Sequence, residues 1–102
     1  MTFKIGDAKG LAVYEMPVQG EVHDDALTAL AEEAMRGAAI TVTDDVTIGD
    51  LSAEFHSPVA GETLRAEALV TRKRGAAMRV CADILDGGSR VASFEADALA
   101  AA

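Results

Sequence analysis

Aromatic residues are scarce in this chain. Three phenylalanines and one tyrosine account for 4% of its 102 residues, and tryptophan is absent. A chain of this length forms a single domain, over residues 1–102, and buries only about 60–70% of its unfolded surface. Because an alanine-rich interior with so few large side chains is thin, we expect association between subunits to add stability.

Cysteine occurs once, at Cys81, which excludes an internal disulfide. Its place in an alternating strand pattern favours a small packed side chain.

The first residues show no charged-then-apolar signal pattern, and no apolar run approaches the roughly 20 residues that a membrane-spanning helix needs. The sequence therefore predicts a soluble, cytoplasmic protein without a membrane partner.

Basic residues are also few. Nine Lys and Arg are outnumbered by seventeen Asp and Glu, which gives a formal net charge of −8 and argues against a nucleic-acid partner. The basic residues are unevenly placed, because six of the nine fall between residues 65 and 90. A local basic region suits a small anionic ligand, although solvated strand faces and hairpin turns are the simpler explanation.

One helix is predicted, and it starts near residue 24. Asp24 or Asp25 is a suitable N-cap, and apolar residues then recur at helical spacing as far as Ala38. Gly37 is a candidate end of the helix, although the following residues can extend it.

The remaining segments predict strands. Two precede the helix and four follow it: Phe3 to Gly6, Leu11 to Val18, Val46 to Phe55, Thr63 to Thr71, Met78 to Leu85 and Val91 to Leu99. Pro17 indicates an edge or a strand end, and Gly49 indicates a bulge. Residues 86–88 and 72–75 predict tight hairpins. One helix on one antiparallel sheet is an α+β architecture.

Two stretches carry a family resemblance. Residues 23–34 read His-Asp-Asp-Ala-Leu-Thr-Ala-Leu-Ala-Glu-Glu-Ala, and residues 50–61 read Asp-Leu-Ser-Ala-Glu-Phe-His-Ser-Pro-Val-Ala-Gly. They resemble the hotdog-fold acyl-CoA thioesterases of the phenylacetate-degradation and 4-hydroxybenzoyl-CoA types. In that family the first stretch has the sequence pattern His-Gly-Gly, then an apolar spacer, then Leu-Ala-Asp or Leu-Ala-Glu. His23 and Glu32 match this pattern, whereas Asp24 and Asp25 replace the two glycines.

The resemblance covers residues from about 11 to 99 and implies a hotdog fold, in which an antiparallel sheet wraps round one central helix. It assigns Glu32 as the catalytic carboxylate, acting as base or nucleophile. From the residues alone, Glu32 is more simply a surface side chain paired with Arg36 one turn later.

The resemblance also implies that the backbone N–H of Asp24 donates to the thioester oxygen, with His23 and Asp25 contacting substrate. The local alternatives are that Asp24 and Asp25 only cap the helix, that one of them acts as a base, and that His23 is structural.

In the family, basic residues near a hairpin end contact the phosphates of coenzyme A. Arg72 and Arg74 are the candidates here, and an ordinary exposed hairpin is the alternative.

The sequence therefore predicts a thioesterase that hydrolyses a small or aromatic acyl-CoA. It is expected to need no metal and no cofactor, and to work as a homodimer or a dimer of dimers with sites between subunits. The alternative is a non-catalytic hotdog module that binds an acyl or CoA-like ligand. A hydratase on the same fold is disfavoured, because His23 and Glu32 do not have the spacing used by those enzymes.

Overall fold

The computed structural model describes residues 2–100. Its elements are β1 (Phe3–Ala8), β2 (Leu11–Pro17), α1 (Asp24–Ala39), β3 (Val46–Phe55), β4 (Thr63–Arg74), β5 (Ala77–Asp86) and β6 (Ser89–Ala100). The strands form one antiparallel sheet in the order β1-β2-β4-β5-β6-β3. The predicted α+β architecture is confirmed, and β3 lies at the edge opposite β1.

The core lies between α1 and one face of the sheet. Alternate residues of β4, β5 and β6 point to this inner face, as the sequence predicts, because successive side chains of a strand point to opposite faces. The buried strand residues include Leu64, Ala66, Ala68, Met78, Val80, Ala82, Ile84, Ala92, Phe94, Ala96 and Ala98. From the helix, Leu30 and Met35 fill this space, and α1 packs mainly on β4, β2 and β5.

Small residues let the helix lie close to the sheet. Ala31, Ala34 and Ala38 of α1 are fully buried. Gly37 does not end the helix but lies inside it, and the last helical residue is Ala39. No helix formed by residues 2–100 is long and apolar enough to cross a membrane.

Two local expectations were wrong. The N-cap is His23, without a side-chain capping bond, and Asp24 and Asp25 form the first turn. The basic residues 72–74 lie in strand β4 and not in the turn, which is made by residues 75 and 76. Pairing with β5 carries β4 further than its own alternation indicates, through a register shift between Val70 and Arg72.

The predicted irregularities are otherwise confirmed. Pro17 ends β2, and the register between β3 and β6 shifts just after Gly49. Asp50, within that shift, has a φ of 50°. Gly87 and Gly88 both have positive φ and close the β5–β6 hairpin.

Candidate functional site

The N-terminus of α1 presents backbone donors. His23 is extended, and its carbonyl accepts hydrogen bonds from the N–H groups of Ala26 at 3.0 Å and Leu27 at 3.3 Å. Within residues 2–100, the N–H groups of Asp24 and Asp25 have no acceptor. Unpaired N–H groups and the helix dipole together favour an oxygen that carries negative charge.

The side chains of Asp24 and Asp25 are exposed beside these donors. Carboxylates in the first turn stabilise the helix through its dipole. They also bring negative charge to the place where an oxyanion would be held. His23, Asp24 and Asp25 are thus brought together, as consecutive residues around one set of N–H groups.

Glu32 is half-buried on α1, next to the fully buried Ala31. Within the described residues its carboxylate forms no ion pair, so the pair with Arg36 that the sequence allows is absent there. The helix backbone fixes the position of Glu32, and no cationic side chain of residues 2–100 pairs with its carboxylate.

Helix geometry separates Glu32 from the donors. Glu32 lies eight positions after Asp24 in α1, and at 1.5 Å per residue the two are about 12 Å apart along the helix axis. One thioester carbonyl cannot contact both groups across that distance. A site that uses the Asp24 N–H and a Glu32 carboxylate therefore needs them from two different chains.

Arg72 and Arg74 lie on the other face of the sheet. Arg72 pairs with Arg79, whose strand neighbours Met78 and Val80 point into the core. By strand alternation, Arg79 and its partner point away from α1. Both predicted arginines line a cavity of about 670 Å³ on this outer face, together with Thr47, Gly49, Asp50 and Arg79 among others.

Arg79 is a member of this cavity that sequence reasoning did not single out. Its guanidinium donates to Glu95 Oε1 through Nε and to Asp97 Oδ1 through Nη1, each at 2.8 Å. The hydrogen bonds to Asp97 and Glu95 raise the pKa of Arg79. The two carboxylates neutralise Arg79, whereas Arg72 and Arg74 form no ion pair among residues 2–100. The signal in the sequence was the alternation around residue 79.

A second cavity of the outer face, of about 660 Å³, contains His56, Cys81 and Ser93. His56 Nε2 and Ser93 Oγ are 3.0 Å apart. Burial raises the pKa of the Cys81 thiol, followed in importance by the charges of Asp83 and Glu95. The thiol is therefore protonated at neutral pH.

Among the described residues, no three His, Cys, Asp or Glu side chains are grouped so as to hold a metal ion.

Residues 19–93, which include α1 and the basic end of β4, match the family model of the thioesterase superfamily. The chain belongs to the thioesterase superfamily. No curated protein matches the chain at a significant level.

Solved structures of other thioesterase-like proteins have the same fold. The PaaI protein from the phenylacetic acid degradation operon of E. coli gives a TM-score of 0.91 at 24% identity, covering 99% of this chain and 80% of that chain. A mutant of the phenylacetic acid degradation protein PaaI from Thermus thermophilus gives 0.91 at 19% identity, covering 98% and 93%. A mutant thioesterase enzyme from Staphylococcus aureus gives 0.90 at 16%, covering 96% and 91%.

At these identities the likeness shows a shared fold. This superfamily member has the hotdog fold, in which the six-stranded antiparallel sheet wraps round α1. The region matched by the family contains the start of α1, Glu32, Arg72 and Arg74. Within one chain, the fold does not bring these three regions into one site.

Proposed function

We propose that this chain hydrolyses acyl-CoA thioesters with a small or aromatic acyl group. The observation that carries the proposal is the thioesterase-superfamily match across α1, where Glu32 stands as a rigid carboxylate without an ion-pair partner among the described residues. An aromatic acyl group is favoured because the E. coli PaaI protein, which is similar in fold, comes from the phenylacetic acid degradation operon.

The chemistry requires a base and an oxygen donor. Glu32 takes a proton from water, and the resulting hydroxide attacks the thioester carbonyl carbon. The carbonyl oxygen becomes negative and is held by the Asp24 N–H at the start of α1. The C–S bond then breaks, the departing thiolate takes the proton that Glu32 accepted from water, and the products are a carboxylic acid and free coenzyme A. Direct attack by the Glu32 carboxylate, followed by hydrolysis of the anhydride, is the nucleophilic variant.

Two chains must contribute to this site, because Asp24 and Glu32 of one helix are too far apart. We propose a homodimer or a dimer of dimers in which Glu32 of one subunit faces the donors of the other. The edge strand β3 supports this arrangement, since in the single chain its outer side has no strand partner among residues 2–100.

Arg72 and Arg74 are proposed to bind the phosphates of coenzyme A, with His23 and Asp25 contacting substrate near the donors. Neither arginine is neutralised by a carboxylate among the described residues, and both line the cavity that Thr47 and Gly49 of the edge strand also line. A carrier bound there lies beside the sheet edge where a second subunit can pair.

The replacement Glu32→Gln tests the catalytic assignment. Glutamine has nearly the same shape but can neither accept a proton at neutral pH nor attack a carbonyl. We expect a loss of about 100- to 10,000-fold in kcat with an unchanged circular dichroism spectrum. Glu33→Gln, at the exposed next position, is the matched control and should keep its activity. Full activity in Glu32→Gln would remove Glu32 from the mechanism.

The second candidate function is a non-catalytic module that binds an acyl or CoA-like ligand. Asp24 and Asp25 favour it, because two carboxylates beside the N–H donors repel a developing oxyanion. An assay of wild type against short-chain, aromatic and long-chain acyl-CoAs separates the two functions. Binding of coenzyme A without hydrolysis of any of these thioesters would establish the binding module.

A further inference from the structure

A series of hydrogen bonds joins the β5–β6 hairpin to the start of α1. Asp86, the last residue of β5, accepts through Oδ2 from the N–H groups of Ala60 at 2.9 Å and Gly61 at 3.0 Å. The carbonyl of Glu62, the next residue, accepts from the Val18 N–H at 2.8 Å. Val18 opens the segment 18–23, which runs directly to His23 and the donors of α1.

The contact between Asp86 and Gly61 is close. A Cβ added at Gly61 would lie 2.1 Å from Asp86 Oδ1, and its three nearest neighbours are all atoms of the Asp86 side chain. Gly61 does not have a positive φ, so the Asp86 carboxylate itself is the obstacle to a side chain. Glycine at 61 is therefore explained by the carboxylate that receives its N–H.

Residues 56–62 depend on such contacts because they form neither helix nor strand. At one end, the N–H groups of His56 and Ser57 donate to the Val91 carbonyl at 2.8 and 3.3 Å. Val59 packs partly against the core. At the other end the Asp86 carboxylate holds the loop, and N–H bonds to a charged acceptor are stronger than bonds between neutral groups.

We propose that Asp86 is a positioning residue for the donor end of the catalytic site. Its carboxylate fixes residues 60–62, these fix Val18, and the segment 18–23 thereby presents the Asp24 N–H at a constant position. This inference rests on the proposed function, because the Asp24 N–H is the proposed oxygen donor. A displacement of about 1 Å at such a donor can cost about 100-fold in rate.

The first arm of the test measures backbone protection. Asp86→Ala is compared with Asp83→Ala, a control on the same strand whose carboxylate only approaches Arg90, at 3.9 Å. Amide hydrogen exchange by NMR should be about tenfold faster at Ala60, Gly61 and Val18 in Asp86→Ala. Exchange in the core strands should not change. Wild-type exchange at Val18 in Asp86→Ala would overturn the proposal.

Gly61→Ala supplies a second variant that leaves Asp86 in place. The added methyl group should displace the carboxylate and speed exchange at Val18 as Asp86→Ala does. In the Asp86→Ala background, Gly61→Ala should have no further effect, because the obstacle is gone. Additive effects of the two changes would contradict a direct contact as the cause.

The second arm separates positioning from general weakening of the fold. Asp86→Ala should lower kcat about 10- to 100-fold while the Kd of free coenzyme A stays unchanged. Asp86→Asn, whose amide oxygen still accepts a hydrogen bond, should recover part of both kcat and Val18 protection. If amide exchange at Val18 became faster while kcat stayed unchanged, the segment 18–23 would not position the donor.

Failure of the proposed function gives a different result. If wild type hydrolyses no thioester, that function fails and the kinetic role of Asp86 fails with it. The exchange arm alone then decides whether Asp86 holds the segment 18–23.

Discussion

Tyr14 of β2 lies against the backbone of Gly37 in α1. A Cβ at position 37 would be 2.4 Å from Tyr14 Oη, 2.7 Å from Cε1 and 2.9 Å from Cζ. The absence of a side chain at Gly37 therefore lets the only tyrosine pack under the helix, with 9% of its surface exposed. This contact sets how closely the part of α1 beyond Glu32 approaches β2.

Gly37→Ala is expected to destabilise the protein. Alanine is the better helix former by about 1 kcal/mol, but forcing a methyl group into a packed contact costs typically about 1–3 kcal/mol. Because two ring carbons of Tyr14 lie within 3 Å of the added Cβ, in addition to the hydroxyl oxygen, rotation of the hydroxyl alone cannot relieve the clash. Urea unfolding should show a net decrease of up to about 2 kcal/mol in the free energy of unfolding.

The control for this change removes the ring. In a Tyr14→Ala background, Gly37→Ala should increase the free energy of unfolding, because only the helix-propensity gain remains. A stabilising effect of Gly37→Ala in the wild-type background would show that the ring moves without cost.

Replacing both Asp24 and Asp25 by glycine is expected to raise thioester hydrolysis. The change keeps the backbone N–H groups and removes two negative charges from the proposed oxyanion site. It should lower the free energy of unfolding by about 1–2 kcal/mol, because glycine is a poor helix residue and the favourable charge–dipole interaction is lost. Steady-state kinetics and urea unfolding measure the two effects.

The paired variant Asp24→Asn with Asp25→Asn separates charge from space. Equal activity gains in the Asn and Gly variants would identify charge as the inhibitory feature. A gain in the glycine variant alone would identify crowding, and no gain in either would show that these carboxylates do not restrain catalysis.

Arg72→Ala with Arg74→Ala is expected to weaken binding of free coenzyme A about tenfold or more, given the strength of charged hydrogen bonds. Added salt should weaken binding to wild type and have less effect on the variant, because exposed charges are screened. Isothermal titration calorimetry measures both effects. Arg65→Ala, on the same strand but near Glu15 and Glu67, is the control. Equal binding in all three proteins would leave Arg72 and Arg74 as solvated strand residues.

Subunit association is expected to be complete at micromolar concentration. The proposed two-chain site needs association and the aromatic-poor core favours it, so light scattering should show a dimer or tetramer. A main peak at the monomer mass of 10.5 kDa would contradict the shared site and the roles assigned to Asp24 and Glu32 together.

Local patterns predicted most of the fold. The helix appeared in the spacing of its apolar residues, and the inner faces of β4, β5 and β6 appeared in strict alternation. Turns were predictable where glycine supplies a conformation that other residues avoid, as at Gly87 and Gly88. The candidate residues Glu32 and Asp24 came from a family pattern, since a lone carboxylate on a helix has no chemical signature of its own.

The sequence by itself determined the element types, the buried faces and the family, because these depend on local spacing and on a motif that is continuous in the chain. Only the tertiary structure decided that Arg72 and Arg74 extend β4, since strand pairing with β5 outweighs the local turn signal. It also decided the contacts of Arg79 with Asp97 and of Asp86 with Gly61. These partners are 18 and 25 residues apart, and only the register between strands brings them within hydrogen-bond distance.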